Sequence, residues 1–334
     1  MKLIKTEEAV GHVLCHDITQ IIKGVTKDAL FRKGHIVTEE DIPLLLSVGK
    51  EHLYVWENDE SMMHENDAAM VLLDMCKNDY MSYGEIKEGK IELKSEIHGL
   101  FKVDRKALFT VNSFGQMMIA TRHSNTVVNP GDKLAGMRII PLVIEKEKMD
   151  KARSLITSSI LEIKPFVLKK AAVITTGSEV YKGRIQDTFT PVIQTKLAEF
   201  GCEMVYHAIC DDDDKMVTEK INEALKQGVD IVLCTGGMSV DPDDRTPGGI
   251  RDTGAKIVTY GAPVLPGAML LIAYYEKEGK RIPILGLPGC VMYAKRTVFD
   301  LVLPRIMADD EIFAGEVAAY GEGGLCLNCK VCTF

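Results

Sequence analysis

The chain has 334 residues, of which 46% are hydrophobic and 26% charged, proportions ordinary for a globular protein with two or three domains. Its formal net charge of −8 argues against nucleic acid or an anionic membrane as a general partner. No apolar run is long enough to span a bilayer, and the amino terminus lacks the apolar core of a signal peptide, so a cytoplasmic protein is expected.

Residues 1–66 are expected to form a small mixed α/β unit. A helix is predicted to begin after Thr38, which resembles an N-cap with acidic residues behind it, and to end at Gly49. The apolar stretch 52–56 then predicts a strand. The polar, acidic stretch 57–66 is interpreted as a linker.

Residues 67–150 are expected to form a β-rich unit that starts with a helix. Apolar residues at helical spacing predict this helix over residues 67–77. From Ile91 onward, mostly apolar side chains alternate with charged ones, which predicts a half-buried strand. The charged segment 145–164 is helix-prone and is expected to lead into the next unit as a helix.

Residues 165–310 alternate between short apolar runs and helix-compatible segments. The run 229–234 is apolar almost throughout, as expected for a strand that is buried on both faces of a parallel sheet. The alternation predicts an α/β domain of three layers, with a mostly parallel sheet between helices. The predicted strands are 171–175, 203–209, 229–234, 256–260 and 283–287, and the predicted helices are 188–200, 215–227, 247–252 and 291–307.

Three loops that contain glycine follow strands of this domain, and we call residues 175–191 the first loop, 235–244 the second loop and 286–289 the third loop. Loops at the carboxyl ends of parallel strands meet at one edge of the sheet, so we expect these three to form one site. Their glycines free backbone N–H groups and their hydroxyl side chains add donors, a combination that binds phosphate. Neither common glycine fingerprint for nucleotides is present, which disfavours an ordinary Rossmann or P-loop site.

Aspartates in the first and second loops indicate a divalent cation beside the phosphate. Asp187, Asp243 and Asp244 would repel phosphate directly, but as ligands of Mg²⁺ they would hold cation and phosphate together. Asp244 is the first candidate for the metal-linked catalytic role and Asp187 the second, with Asp243 as a further metal ligand. Asp187 has an alternative role as the N-cap of the next helix. The acidic run 211–214 is interpreted as helix capping and solvated surface, and His207 as packing.

Together the loops resemble the molybdopterin-binding domain that molybdopterin molybdotransferases, gephyrin and molybdopterin adenylyltransferases share. The matching pieces are TGSEV at 176–180, a glycine at 183, DTF at 187–189, TGGMSVDPDD at 235–244, PGAM at 266–269 and LPGCV at 287–291. The resemblance implies the three-layer fold, a homodimer, a molybdopterin or adenylylated molybdopterin ligand, and either molybdate transfer or a carrier role without catalysis. The ligand-binding positions it implies are Thr176, Gly177, Ser178, Glu179, Gly183, Gly236, Gly237, Met238, Ser239, Pro266, Gly267, Pro288 and Gly289.

The chain departs from the molybdotransferase pattern at several of these positions. Ser178 stands where that pattern has aspartate, Phe189 where it has asparagine, and residues 290–291 replace the Asn-Pro after LPG. The stretch DPDDRT at 241–246 is more similar to the competence-damage-inducible family, whose related domain hydrolyses nucleotide pyrophosphates. A nucleotide pyrophosphatase is therefore the alternative function.

The tail, residues 311–334, contains three closely spaced cysteines. Cys326, Cys329 and Cys332 form a C-x2-C-x2-C run that matches three positions of the bacterial ferredoxin spacing. One interpretation is an iron–sulfur cluster or zinc, and the other is a flexible tail with exposed thiols. The other six cysteines are scattered and are expected to be reduced core residues.

Overall fold

The structure, a computed structural model, describes residues 2–22, 26–55, 60–239, 241–242 and 244–327. The chain divides into two compact units. The first unit comprises Met1–Glu96, Val103–Arg122 and Pro130–Glu162, and the second comprises Ile97–Lys102, His123–Asn129 and Ile163–Phe334. Two short segments from the middle of the chain therefore belong with the carboxyl-terminal half.

The described residues form strands and helices with the following bounds. The strands are β1 (Lys2–Lys5), β2 (Ile18–Ile22), β3 (Thr26–Phe31), β4 (His52–Val55), β5 (Met62–His64), β6 (Met81–Tyr83), β7 (Ile91–Ser95), β8 (Gly99–Val103), β9 (Met117–Thr121), β10 (Thr126–Val128), β11 (Lys133–Ile139), β12 (Val143–Glu145), β13 (Leu161–Pro165), β14 (Lys170–Thr176), β15 (Glu203–Cys210), β16 (Ile231–Thr235), β17 (Lys256–Tyr260), β18 (Leu271–Lys277) and β19 (Lys280–Leu287). The α-helices are α1 (Asp41–Ser47), α2 (Glu65–Cys76), α3 (Arg105–Ser113), α4 (Lys146–Ser154), α5 (Ser178–Tyr181), α6 (Phe189–Ala198), α7 (Asp214–Lys226), α8 (Thr246–Asp252), α9 (Val298–Met307) and α10 (Ala314–Ala319), and 3-10 helices span Thr6–Glu8 and Gly289–Met292.

The first unit is built from small antiparallel sheets. β1 pairs with β4, β2 with β3 and β5 with β12, and a four-stranded sheet has the order β6-β7-β11-β9. The predicted helix 67–77 is confirmed as α2, which begins two residues earlier, and the predicted strand at Ile91 is confirmed as β7. Helix α1 begins at Asp41, later than predicted. Thr38 lies before the helix, and its N–H and hydroxyl donate to the Asp41 carboxylate at 2.8 Å and 2.9 Å.

Two sequence interpretations are wrong in this region. The part of the predicted linker that the structure describes is ordered as β5, and Met63 on β5 lies opposite Ile144 on β12. The His64 ring is buried and makes a 2.8 Å hydrogen bond to the Cys15 carbonyl, so this polar residue is part of the folded unit. The predicted helix 145–164 is present only as α4, which ends at Ser154. The end of the predicted range belongs to β13, where buried Leu161 and Ile163 alternate with more exposed side chains, the pattern of a strand.

The second unit contains the predicted sheet, which has six strands in the order β15-β14-β16-β19-β18-β17. β14 is parallel to β15 and to β16, and β16 is parallel to β19. β18 is antiparallel to both of its neighbours. Because the other three strand pairs are parallel, the sheet is mostly parallel, as predicted. A smaller sheet has the order β10-β8-β13.

Helices cover both faces of the six-stranded sheet. On one face, α6 and α9 bury a core that includes Ile193 and Phe299, and on the other face α7 and α8 bury Val217 and Ile250. Successive residues of β16 enter opposite cores, and all five of its residues are buried. The predicted three-layer α/β class is therefore confirmed. No helix in the described part of the chain is long and apolar enough to cross a membrane.

The largest differences from the sequence prediction in the second unit concern β18 and the last long helix. β18 was not predicted, and it forms a hairpin with β19 through Glu278 and Gly279, which have φ angles of +50° and +79°. The last helix begins at Val298 and not at residue 291, because Thr297 and Asp300 form a capping box. Only a short 3-10 helix, Gly289–Met292, follows the third loop directly.

Candidate functional site

The three loops leave the sheet at the same level. Thr175 at the end of β14 lies opposite Thr235 of β16, and Thr235 lies opposite Leu287 of β19. The carboxyl ends of these strands are neighbours, so Thr176, Gly236 and Pro288 lie at one edge of the sheet. The sequence prediction that the three loops share this edge is confirmed by the strand register.

The second loop begins with a turn that packs tightly against the end of β14. Gly236 has a φ angle of +86°, and a Cβ atom placed on it would lie 2.2 Å from the Thr176 carbonyl oxygen. Any side chain at this position would therefore collide with backbone as well as adopt a strained conformation. The glycine brings the first and second loops into direct contact.

A pair of buried hydroxyls joins these two loops to α8. The hydroxyls of Thr176 and Thr246 lie 2.9 Å apart, and that of Thr246 donates to the Gly236 carbonyl at 2.9 Å. The Thr176 hydroxyl also lies 3.1 Å from the Thr235 carbonyl. Both threonines are nearly inaccessible to solvent, so these hydroxyls fix the floor of the site.

Two aspartates that follow β15 hold the first loop. Asp212 accepts a 2.8 Å hydrogen bond from the Ser178 N–H, and the Ser178 hydroxyl donates to Asp211. Burial, with the negative charges of Asp211, Glu179 and Asp244, raises the pKa of Asp212. A Cβ atom on Gly237 would lie 3.3 Å from Asp212 Oδ1, so this carboxylate reaches the second loop as well.

The sequence assigned the run 211–214 to capping and surface, and only part of that run behaves so. Asp213 caps α7 by accepting a 2.9 Å hydrogen bond from the Met216 N–H. Asp211 and Asp212 instead bridge loops of the candidate site. Four successive aspartates in the sequence did not distinguish these roles, because the difference depends on which residue ends β15.

Asp187 is the centre of a separate polar cluster on the α6 face of the sheet. Its Oδ1 accepts hydrogen bonds from the N–H groups of Phe189 at 2.9 Å and Thr190 at 3.0 Å. Its Oδ2 accepts from the hydroxyls of Thr175 at 2.9 Å and Thr190 at 2.6 Å, and lies 3.3 Å from His207 Nε2. Burial alone would raise the pKa of Asp187, but these hydrogen bonds outweigh it and lower the pKa below the usual value. The contacts to α6 are those of a helix cap.

Asp244 braces the second loop from within. Its Oδ2 accepts a 2.7 Å hydrogen bond from the Ser239 N–H, while the Tyr260 hydroxyl donates to the Met238 carbonyl at 2.8 Å. Burial, together with the charge of Asp244, raises the pKa of Tyr260. Asp244 therefore lies within electrostatic range of both Tyr260 and Asp212 at the loop edge.

The Met238 side chain is buried, like that of Thr176. Its side chain is 4% exposed and packs in the core, where a Cβ atom on Gly286 would lie 2.5 Å from its sulfur. Gly286, the first residue of the third loop, leaves the space that Met238 fills. The structure thus buries the Met238 side chain against the first residue of the third loop.

The remaining predicted positions lie in the first and third loops or pack against the start of α9. The Gly177 N–H donates to the Cys210 carbonyl at 3.3 Å, and the Pro266 carbonyl accepts from the Val298 N–H at 3.2 Å. A Cβ atom on Gly267 would lie 2.5 Å from the Val298 side chain, whereas one on Gly289 would meet open space. Glu179 and Gly183 are exposed on the first loop, and Pro288 precedes the 3-10 helix.

The structure describes only some of the predicted metal ligands. Asp243, Cys329 and Cys332 lie outside the described residues. Within the described ranges, no group of three or more His, Cys, Asp or Glu side chains is arranged to hold a metal ion. Cys326 is half-buried, and its N–H donates to the Leu265 carbonyl at 2.9 Å, which places the start of the cysteine run beside Pro266.

A cleft of about 600 Å³ lies at the opposite edge of the sheet, next to the amino ends of β14 and β19. Its charged side chains are paired with one another, for example Lys169 with Asp309 at 2.5 Å and Lys280 with Asp230 at 3.2 Å. Because ligands of open α/β sheets bind outside the carboxyl ends of the strands, the loop edge is the better candidate site.

Two parts of the chain match known families. Residues 172–308 match the family described as a probable molybdopterin binding domain, and residues 3–57 match a domain of unknown function. The resemblance predicted from the loop motifs is therefore confirmed over residues 172–308 of the α/β domain.

Curated proteins are similar to a part of the chain. The chain is 35% identical over 80 residues to CinA-like proteins of Mycobacterium tuberculosis and Mycobacterium avium, which is 24% of this chain and 19% and 18% of those proteins. The chain thus spans about a fifth of the length of these curated relatives.

Two solved structures are also similar to the chain. The tungsten cofactor synthesizing protein MoaB from Pyrococcus furiosus is 26% identical, with a TM-score of 0.33, over 37% of this chain and 84% of that one. The protein CinA with unknown function from Thermoplasma acidophilum is 19% identical, with a TM-score of 0.34, over 42% of this chain and 98% of that one.

Proposed function

We propose that this chain binds a phosphorylated pterin of the molybdopterin class at the loop edge and acts in the biosynthesis or handling of the molybdenum cofactor in the cytoplasm. The observation that carries the proposal is the junction of the first and second loops. There, the Gly236–Gly237 turn, the Thr176 and Thr246 hydroxyls and the Asp212 carboxylate meet at the carboxyl ends of parallel strands. This junction lies inside the part of the chain that matches the molybdopterin-binding family.

Magnesium has a physical role in this proposal. The negative charges of Asp211, Glu179 and Asp244 act on Asp212, and although Lys182 pairs with Asp211 at 3.6 Å, these carboxylates oppose a phosphorylated ligand unless a cation is present. Mg²⁺ usually keeps several waters and binds through one or two carboxylates together with ligand phosphates, so it needs no cage of protein ligands. Asp244 and Asp243 would hold the ion, and molybdate would enter as a substrate if the site is catalytic.

Titration with two phosphorylated ligands tests the proposal. Molybdopterin and ADP-ribose are added separately to the full chain under anaerobic conditions, each with and without Mg²⁺. We expect the pterin to bind more tightly and its affinity to rise with Mg²⁺. Tighter binding of ADP-ribose, or no binding of the pterin at any Mg²⁺ concentration, would exclude the pterin assignment.

A nucleotide pyrophosphatase is the second candidate function. The observation that favours it is the 35% identity to CinA-like proteins, together with the DPDDRT stretch of the second loop. Release of AMP from ADP-ribose in a Mg²⁺-dependent reaction would support this candidate. Binding of either ligand without turnover would instead support a carrier or regulatory module.

The chain is proposed to be a homodimer, as its resemblance to the dimeric molybdotransferases implies. Light scattering at micromolar concentration should then give twice the 36.9 kDa mass of one chain. A mass of one chain that persists as the concentration rises would contradict a dimer.

The cysteine run is proposed to bind iron or zinc through thiolates. Protein purified without oxygen should then contain one of these metals, and replacing Cys326, Cys329 and Cys332 with serine should remove it. Cys290→Ser is a matched control, because Cys290 is half-buried and lies outside the run. Metal that remains after the triple replacement, or its absence from the unmodified chain, would contradict a thiolate site.

A further inference from the structure

An exposed apolar surface follows the third loop. Tyr293 is 77% exposed and Met292 is 40% exposed, although both directly follow Val291, which is fully buried. Large apolar side chains that are exposed beside a candidate ligand site are typical of a binding surface. We call Met292 and Tyr293 the apolar rim.

The apolar rim is held in place by its backbone. The N–H groups of Tyr293 and Ala294 both donate to the Cys290 carbonyl, at 3.2 Å and 2.8 Å. The buried Val291 side chain anchors the 3-10 helix in the core below. The late start of α9 leaves Tyr293 outside regular helix, so its ring projects from a fixed turn and not from a helix face.

The apolar rim also contacts the first loop. Thr188 lies in the first loop, between Asp187 and α6. Its hydroxyl lies 3.0 Å from the Met292 sulfur. Ile185, three positions before Thr188, is 58% exposed as well. Apolar side chains from the first and third loops thus lie at an edge where exposed charged side chains of both signs, such as Glu179, Lys182 and Arg184, are also present.

We infer that the Tyr293 ring stacks on the planar heterocycle of the ligand while the phosphate lies at the loop junction. This inference rests on the proposed function, because it needs a ligand that has both a phosphate and a flat ring. Stacking on an exposed aromatic side chain recovers apolar surface from water and tolerates different rings. The carboxylate-lined junction offers no such surface, so the rim determines whether a ring-bearing ligand is preferred.

The test compares ligands with and without a ring in the full chain with Mg²⁺. The probes are 6-hydroxymethylpterin phosphate, adenosine 5′-monophosphate and glycerol phosphate. Tyr293→Ser should weaken binding of the pterin phosphate about tenfold or more, within the range seen for loss of a stacked aromatic contact. It should leave the affinity for glycerol phosphate within about twofold, since the loss of the ring does not touch the phosphate contacts.

Two further variants complete the test. Tyr293→Phe keeps an aromatic face and should bind the pterin phosphate nearly as tightly as the unmodified chain. The pterin absorbance should also fall by the same amount on binding to both proteins, because the ring stacks in both. Tyr54→Ser, an exposed tyrosine of the first unit, should change neither affinity. These controls separate stacking from a general effect of losing a tyrosine.

The outcomes distinguish the inference from the proposed function. Equal loss for all probes in Tyr293→Ser, or no loss for any probe, would overturn stacking. If the unmodified chain prefers the adenosine ligand and Tyr293→Ser removes that preference, stacking stands and the pterin assignment falls. If the unmodified chain binds the pterin and glycerol phosphates equally, the ring contributes nothing and the inference is wrong.

Discussion

Replacing Asp310 with asparagine should lower the free energy of unfolding of the second unit by about 3 kcal/mol, at the low end of what loss of a buried ionic partner costs. Asp310 is 7% exposed and accepts hydrogen bonds from Lys102 at 2.6 Å, Lys164 at 2.9 Å and Arg305 Nε at 2.6 Å. The Arg305 side chain is itself 1% exposed. Neutralising the central carboxylate removes an ionic partner from three cations at once and leaves buried Arg305 to pair with Glu316, whose side chain is 40% exposed.

The same carboxylate makes stability depend on acid pH. Burial would raise its pKa, but the bonds from Lys102 and Lys164 and the charge of Arg305 outweigh burial and hold the pKa of Asp310 at about 2, against 3.8 for the free side chain. A depressed pKa contributes stability above the unfolded value and loses it as pH falls through the folded value. Asp310 should thus contribute about 2 kcal/mol at neutral pH, which disappears between about pH 4 and pH 2.

Urea unfolding of the full chain at pH 7 and at pH 3 measures both effects. Asp252→Asn is the control, because Asp252 is exposed at the end of α8, so this variant should change the free energy of unfolding by less than about 1 kcal/mol. Asp310→Asn should also show a smaller stability loss between the two pH values than the unmodified chain. Equal unfolding midpoints for the two variants would show that the Asp310 network adds nothing to stability.

The α/β domain was predictable because its strands are apolar runs separated by helix-compatible segments. β16 is the clearest case, since a strand buried on both faces has no alternation to misread. β18 was missed although Glu278 and Gly279 between two apolar segments are a hairpin signal. The start of α9 was missed although Thr297 and Asp300 have capping-box spacing, because the apolar residues before them suggested a continuous helix.

The site was predictable at the level of loops and not of single side chains. Strand order brings Thr176, Gly236 and Pro288 to one edge, and that follows from the alternation of elements. The contact of Asp212 with the first loop depends on where β15 ends, which is a one-residue question that sequence patterns leave open. The burial of Met238 depends on the missing side chain of a glycine that is distant in sequence.

Replacing Asp244 with asparagine should separate the electrostatic role of this residue from its structural one. The asparagine amide oxygen can still accept the 2.7 Å hydrogen bond that the Ser239 N–H gives to Asp244, so the second loop should keep its shape. Only the negative charge is removed. Burial and nearby charges that include Asp244 raise the pKa of Asp212, so the variant also relieves part of the repulsion at the loop junction.

Binding of the pterin phosphate should respond to this variant in opposite ways with and without Mg²⁺. Without Mg²⁺ the affinity should hold or rise, because one negative charge facing the phosphate is gone. With Mg²⁺ the gain in affinity that the unmodified chain shows should be lost. If the site is catalytic, turnover should fall by about 10²-fold or more, the effect of removing one electrostatic contributor to a transition state.

Titrations with and without Mg²⁺ in both proteins, beside a thermal unfolding curve, decide between this role and a structural one. Asp252→Asn is the control, because Asp252 is exposed at the end of α8 and away from the loop edge. A bracing role alone predicts a stability loss of about 1 kcal/mol or less, with the Mg²⁺ dependence of binding unchanged. If Asp244→Asn and the unmodified chain show the same Mg²⁺ dependence, Asp244 is not the metal residue, and the proposal of a metal-assisted site at this edge loses its principal carboxylate.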